Sequence, residues 1–309
     1  MSRIFITGAS GFLGASVVRA ALREGCEVSV LLRTGDIPPR LEDVIRHIKV
    51  VRGDLDGFRR TDLDDWVPDV AIHLAWQGVA NSERNNPAQL GNVKTSVNVA
   101  EVLAACGCRK VVGIGSQAEY GPQRGRIDEF APTLPTTVYG AAKLISSVAT
   151  ERICAGSGVE FAWLRLFSCY GPGDSPGWMI PDLITNLRAG ARPPLTLGEQ
   201  RWDYVFVDDA AEAILRVALS NVARGVFNLG SGVACRIREV AEKVRDFVAP
   251  GAALGFGEVP YRQDQVMHLQ ANISKLVRAT GWLPRTTLDE GLRLTVASYL
   301  ESALEVSSK

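Results

Sequence analysis

The sequence carries no surplus of either charge: 34 Lys and Arg face 34 Asp and Glu over 309 residues. No basic run exceeds a few residues, so neither a nucleic-acid backbone nor an anionic membrane is an expected partner. Long apolar runs are missing too. None approaches the length that crosses a bilayer, and the opening MSRIFITG enters a strand without the basic and apolar segments of a secretory signal; the expected location is cytoplasmic. Histidine is scarce, with only His47, His73 and His268, all isolated. The six cysteines stand singly except for Cys106-Gly107-Cys108, which is too tight for a usual zinc pair and has no second ligand pair. No metal is expected, and strand-embedded His73 reads as structural. These absences leave small molecules and further copies of the chain as partners.

What is present is a globular composition, 46% hydrophobic and 22% charged, in a regular alternation. Residues 3–6, 27–32, 48–53, 70–75, 110–116 and 159–166 form β-branched, near-continuous apolar runs and read as strands. Between them ASVVRAALREG, SVNVAEVLAACG and AAKLISSVATERICAGSG carry helical apolar spacing, the last two ending at glycine. That order predicts an α/β fold, a Rossmann-type doubly wound parallel sheet covered on both faces. After residue 168 the texture changes to the turn-rich CYGPGDSPGWMIP, and helical PDLITNLRAG, IREVAEKVRDFV and LDEGLRLTVASYLES follow. The expected division is a dinucleotide-binding domain from 1–168 and 203–230, with a smaller interleaved α/β substrate domain from 169–202 and 231–309.

TGASGFLG, between the first strand and the first helix, suits a phosphate held at a helix N-terminus. Gly8 allows the tight turn, Gly11 lets a pyrophosphate approach, and Gly14 lets helix pack on strand. At the end of the second strand an acid would bind a ribose 2'-hydroxyl, whereas a 2'-phosphate would be repelled by it. Here Leu32 holds that position and Arg33 follows, which favours NADP(H) and leaves NAD(H) open.

Further along, Tyr139 and Lys143 lie in YGAAK at i and i+4 of a helix, and Ser116 closes a strand at the carboxyl edge of the sheet. A tyrosine with an ammonium beside it is a candidate general acid/base. The spacing G-x-x-G-x-x-G, with Gly53-Asp54-Leu55, His73-Leu74-Ala75, Asn92, SQAEYG, YGAAK, LRLFSCYGPGD, DYVFVDD and GWLP, resembles the extended short-chain dehydrogenase/reductase family over almost the whole chain. The resemblance implies that Ser116 hydrogen-bonds the substrate oxygen, Tyr139 exchanges the proton, Lys143 holds the nicotinamide ribose, and Asn92 supports the proton path. It also implies that Gly8, Gly11, Phe12, Leu13, Gly14, Arg33, Asp54, Leu55, Leu74, Ala75 and Phe167 line the cofactor. The second half resembles the family's nucleotide-sugar-binding part, which implies that Ser116, Gln117, Ser168, Arg201 and Arg262 contact the substrate.

Departures narrow the chemistry. Family dehydratases place an Asp-Glu pair after this serine or threonine; Gln117 and Ala118 stand here, and neither transfers a proton. Ser168 replaces an asparagine, and Trp202 takes an arginine position with Arg201 one residue earlier. Trp76, Trp178 and Tyr261 are available to cover a sugar or base, and Glu119 is either an extra carboxylate of the site or a solvated turn residue. The resulting expectation is an NADPH-dependent reductase of the C4 ketone of a nucleotide-activated 4-keto-6-deoxyhexose. A C4 epimerase with retained NAD, a reductase of a non-sugar carbonyl, and a non-enzymatic NAD(P)-binding sensor are the alternatives. The resemblance also implies a homodimer through the helices SVNVAEVLAACG and AAKLISSVATERI.

Overall fold

The computed structural model describes residues 1–33, 35–262 and 265–307. Seven parallel strands form the main sheet: β1 (Arg3–Thr7), β2 (Glu27–Leu32), β3 (Lys49–Arg52), β4 (Val70–His73), β5 (Lys110–Ser116), β7 (Glu160–Leu166) and β11 (Gly225–Leu229). Their spatial order is β11-β7-β5-β4-β1-β2-β3, which reverses direction between β1 and β4. In a doubly wound sheet that reversal opens the crevice where ligands bind.

The inner strands of this sheet are buried for the reason their sequence suggested, while the edge strand β3 buries only Val51. Ile4, Phe5, Ile6, Val70, Ile72, Val112 and Leu164 expose 1% or less of their surface, because helices cover both faces. On one face α1 (Phe12–Arg23) packs against α5 (Val207–Leu219); on the other α2 (Gln89–Ala105) packs against α3 (Val138–Gly156). The strand and helix expectations for the first half hold to within a few residues, except that α2 starts seven residues earlier than its apolar spacing announced. Its first turns are polar, with Gln89 and Asn92 facing inward, so periodicity could not mark them.

The second half builds a smaller sheet, β12-β10-β14-β6, with β8 also paired to β10. Its strands are β6 (Arg126–Ile127), β8 (Ser168–Tyr170), β10 (Arg201–Phe206), β12 (Ala234–Arg236) and β14 (His268–Ala271); β9 (Pro194–Leu195) pairs β13 (Gly255–Phe256) separately. Helices α4 (Met179–Arg188), α6 (Ile237–Val248) and α8 (Leu288–Ser307) complete this part, and Ile184, Leu187, Val240, Val244 and Leu292 form its own core, whereas α7 (Ser274–Thr280) packs on α5 and β11 of the main sheet. The sheet membership differs from the expected division at three points. β6, within 1–168, joins the second sheet, and the boundaries at 168 and 203 cut through β8 and β10. All are two- to six-residue segments whose partners are distant in sequence, so no local pattern assigns them to a sheet.

Candidate active site

The site lies at the carboxyl edge of the main sheet, where the chain leaves β1, β4 and β5. Gly8 has φ +74, and a Cβ on it would fall 2.5 Å from the Ala75 nitrogen; the turn after β1 therefore touches the turn after β4. A Cβ on Gly14 would meet the Gly8 oxygen at 2.1 Å, so only glycine lets the first turn of α1 sit this close to the strand end. In front of Gly11 nothing nearer than that same oxygen, at 3.2 Å, fills the space. Gly11 is also the N-cap of α1, supplies no capping side chain, and is followed by no acid in the first turn. The amides of Phe12 and Leu13 are thus left for a ligand, and the positive helix end favours an anion there. This chain's residues fit the pyrophosphate of a dinucleotide.

The remaining cofactor candidates line up along the same edge. Thr7 lies beside Leu31, and Leu32 beside Arg52, so exposed Arg33 emerges between the glycine turn and the turn at Gly53. Asp54 is exposed and caps the short helix Leu55–Gly57 by accepting from the Asp56 amide at 3.1 Å. Asn98 of α2 donates to the Leu55 and Phe58 carbonyls and ties that turn down. Leu74 and Ala75 are half-buried and are held by Thr7 through its carbonyl and hydroxyl. Phe167 is buried at the end of β7, its amide donating to Leu229.

The chemistry end is built around Glu119. Glycines at 113 and 115 of β5 leave a slot for the Trp163 ring of β7; a Cβ at either would come within 2.2 Å of it. The Trp163 Nε1 then donates to Glu119 Oε1 at 2.9 Å, and Arg165 Nε donates to Oε2 at 2.7 Å. Glu119 also accepts the Ser116 amide at 2.9 Å and has no exposed surface. It is not a solvated turn residue: its two oxygens accept from Ser116, Trp163 and Arg165 and tie the end of β5 to β7. The signal missed in the sequence was Trp163 and Arg165 alternating on the neighbouring strand.

Tyr139 reaches Ser116 because α3 starts against this turn. Thr137 caps the helix by accepting the Gly140 amide at 3.1 Å, and a Cβ on Gly140 would lie 2.4 Å from the Ala118 oxygen. The phenol lies close enough to Ser116 for that hydroxyl to act on its ionisation. Burial holds its pKa above the usual value, while the Ser116 hydroxyl and the nearby Arg84 charge pull it down and Glu119 pushes it up. The sequence had credited Lys143 with that downward pull. Lys143 is instead spent elsewhere, its Nζ donating to the Ile114 carbonyl at 2.6 Å and lying 3.7 Å from the Trp76 ring centre. Burial lowers Lys143 to about 7, with Glu119 opposing. The i, i+4 spacing put both side chains on one buried face but could not say which carbonyl would capture the ammonium.

Asn92 makes no hydrogen bond to Tyr139, Lys143 or Ser116 among the described residues. Its amide accepts from the Gln77 nitrogen at 2.9 Å and donates to the Gln77 oxygen at 3.0 Å, clamping the turn that carries Trp76. Trp76 in turn stands edge-on to Tyr139 at 6.0 Å and donates to Gln89. Asn92 thus bears on Tyr139 through the turn that carries Trp76, and no bond on the proton path expected of it is seen among the described residues. His73 is buried neutral, pushed down to about 3 by burial, and links Thr7 at 2.7 Å to Ser96 at 3.1 Å.

The substrate candidates are dispersed. Gln117 is half-buried beside Ser116, and Ser168 lies in β8 opposite Tyr204. Arg262 is exposed but close enough for its charge to act on Arg84. Arg201 is not brought to this group: it is exposed at the start of β10 and donates to the Ala234 carbonyl at 3.3 Å. Strand alternation puts it on the face of Asp203, away from Trp202 and Tyr204. Tyr261 bonds Glu199, whereas Trp178 does reach the site, against Arg84 at 5.9 Å. Arg84 itself was not singled out in the sequence, because an arginine in NSERNNP reads as loop charge.

With this geometry in hand, the comparisons with known proteins agree. Residues 4–230 match the model of the NAD dependent epimerase/dehydratase family, and the chain belongs to that family. It is 28% identical to a dTDP-glucose 4,6-dehydratase of Streptomyces niveus, over 97% of this chain and 93% of the relative. It is 27% identical to a UDP-glucose 4-epimerase of Azospirillum brasilense, over 99% and 93%. The crystal structure of the UDP-glucose 4-epimerase of Thermus thermophilus in complex with NAD superposes with a TM-score of 0.83 at 26% identity, over 96% of this chain and 99% of that one.

Proposed function

We propose that the chain reduces the C4 ketone of a nucleotide-activated 4-keto-6-deoxyhexose with NADPH. The observation that carries this reading is the Ser116–Tyr139 pair at the sheet edge with Gln117 and Ala118, rather than two carboxyls, beside it. A hydride acceptor needs a hydrogen bond to its oxygen and a proton as charge develops there. Ser116 supplies the first and Tyr139 the second. Water elimination needs a further acid and base, and Glu119 is closed to that role by Trp163 and Arg165.

Phe12 and Leu13 would hold the pyrophosphate, Arg33 a 2'-phosphate, and Lys143 the nicotinamide ribose once it leaves the Ile114 carbonyl. Bound there, the nicotinamide supplies the hydride. Arg262 and Ser168 would meet the sugar diphosphate, with Trp76 and Trp178 excluding water from the reacting carbon. A homodimer through α2 and α3 belongs to the same reading, supported by Leu90, Ile145 and Val148, each about half exposed on those helices; sedimentation at two concentrations checks it.

The test is NADPH oxidation by the purified protein with a panel of NDP-4-keto-6-deoxy sugars. Turnover with at least one, and none with NDP-hexoses lacking the ketone, supports the proposal; no oxidation with any of them refutes it. The second reading, a C4 epimerase with retained NAD, is favoured by the NAD-bound epimerase neighbour. It requires stoichiometric NAD in the protein as purified.

A further inference from the structure

Arg84 occupies an unusual place for a loop arginine. Its guanidinium carbon lies 5.3 Å from the centre of the Tyr139 ring and 5.9 Å from that of Trp178, so it is stacked between a side chain of each lobe. Its Nε is buried and has no hydrogen-bond partner among the described residues. Its backbone is fixed to the same helix: the Arg84 carbonyl accepts the Tyr139 amide at 2.8 Å, and the Asn85 side chain accepts the Val138 amide at 3.3 Å. These two contacts satisfy first-turn amides of α3 that no earlier helical carbonyl can reach. Wherever α3 carries Tyr139, Arg84 follows.

We infer that Arg84 is the positioning cation of Tyr139, holding the phenol against Ser116 and stabilising its phenolate, the role that helical spacing had given to Lys143. The inference rests on Tyr139 being the proton donor of the proposed reaction. A guanidinium over an aromatic face is attracted to it, and the attraction grows when the ring carries negative charge. Arginine suits this place better than lysine, because it stays charged when buried.

The other charged and polar groups facing Tyr139 do not duplicate it. Ser116, from the end of β5, lies near the phenol and favours its ionised form, and Glu119, from the turn after β5, opposes ionisation. Lys143, on Tyr139's own helix, is engaged by the Ile114 carbonyl and the Trp76 ring. Arg262, from the loop before β14, acts on Arg84. Dividing the labour in this way assigns Lys143, once released from the Ile114 carbonyl, to the cofactor and a separate cation to the acid.

The experiment compares wild type with Arg84→Met, Arg84→Gln and Arg84→Lys in the pH dependence of kcat/KM for ketone reduction, with Tyr139→Phe alongside. Loss of Arg84's charge should lower the plateau about tenfold, within the span of general-acid effects. It should also move the alkaline limb to higher pH, since a phenol without its cation gives up its proton less readily. Arg84→Lys should recover much of both. Melting temperature and NADPH affinity of each variant identify any that misfold, and the glutamine variant replaces the methionine one in that event. A lowered plateau with an unmoved limb in a folded variant overturns the inference, as does no change at all. Should Tyr139→Phe keep its turnover, the proposed reaction itself fails, which is a different result from an Arg84 variant behaving as wild type.

Discussion

The two ends of the cofactor groove are made in opposite ways. At β5 the side chains are buried and bonded to one another: Glu119 alone joins Ser116, Trp163 and Arg165. At β2 and β3 the side chains that would read the adenosine half, Arg33 and Asp54, stand in solvent on short turns. On the proposed reading, the difference teaches that the proton chemistry would be preorganised by the core, whereas the choice of dinucleotide would hang on a few exposed charges. Substitutions should therefore be severe at the first end and selective at the second.

The largest effect is expected at the proton donor. Tyr139→Phe removes the transferable proton and should lower kcat by about 10³-fold, inside the 10² to 10⁴ range of general acid catalysis, with NADPH affinity little changed. Steady-state kinetics with cofactor titration read both numbers. Next comes Glu119→Gln. It leaves Arg165 as a buried charge without its partner, and urea unfolding should show a loss of about 3–5 kcal/mol. A loss under 1 kcal/mol would mean that the β5 end is not held by its core as described.

At the exposed end, Arg33→Ala should raise KM for NADPH about tenfold, as for the loss of one charge-assisted hydrogen bond, and leave KM for NADH nearly unchanged. Equal effects on the two cofactors would erase the contrast between the ends. The smallest effect is one of pH. Asp174, in the turn between β8 and α4, is pushed up to about 6 by burial, against the usual 3.8. Because its folded value is the higher one, its contribution to stability is fully present below about 3.8 and is lost as pH rises through about 6. Asp174→Asn should thus be more stable than wild type at pH values above 6 and equal to it near pH 4, by about 1 kcal/mol once solvent screening is allowed for. Melting curves at both pH values show it.

Much of this was written plainly in the sequence. Continuous apolar runs identify parallel strands because helices bury both faces, and Gly8, Gly11 and Gly14 announce a close backbone approach whatever lies elsewhere. Ser116, Tyr139 and Lys143 were legible because their spacing is tied to a strand end and a helix face. What could not be read depends on partners far along the chain. Glu119 is defined by Trp163 and Arg165 on another strand, Arg84 by a helix starting more than fifty residues later, and β6 by β14 across the molecule. Arg201 misled for a related reason: a one-residue shift along a strand turns a side chain to the other face.

The most direct measurement follows the hydride. NADPH carrying deuterium at the transferable position is mixed with the protein and an NDP-4-keto-6-deoxyhexose, and the sugar product is analysed by mass spectrometry and NMR. A reductase places the deuterium on C4 of the sugar, one for each NADP⁺ released. Unreacted ketone and unconsumed NADPH, from a protein that already carries NAD and interconverts the C4 epimers of an NDP-hexose, would contradict the account.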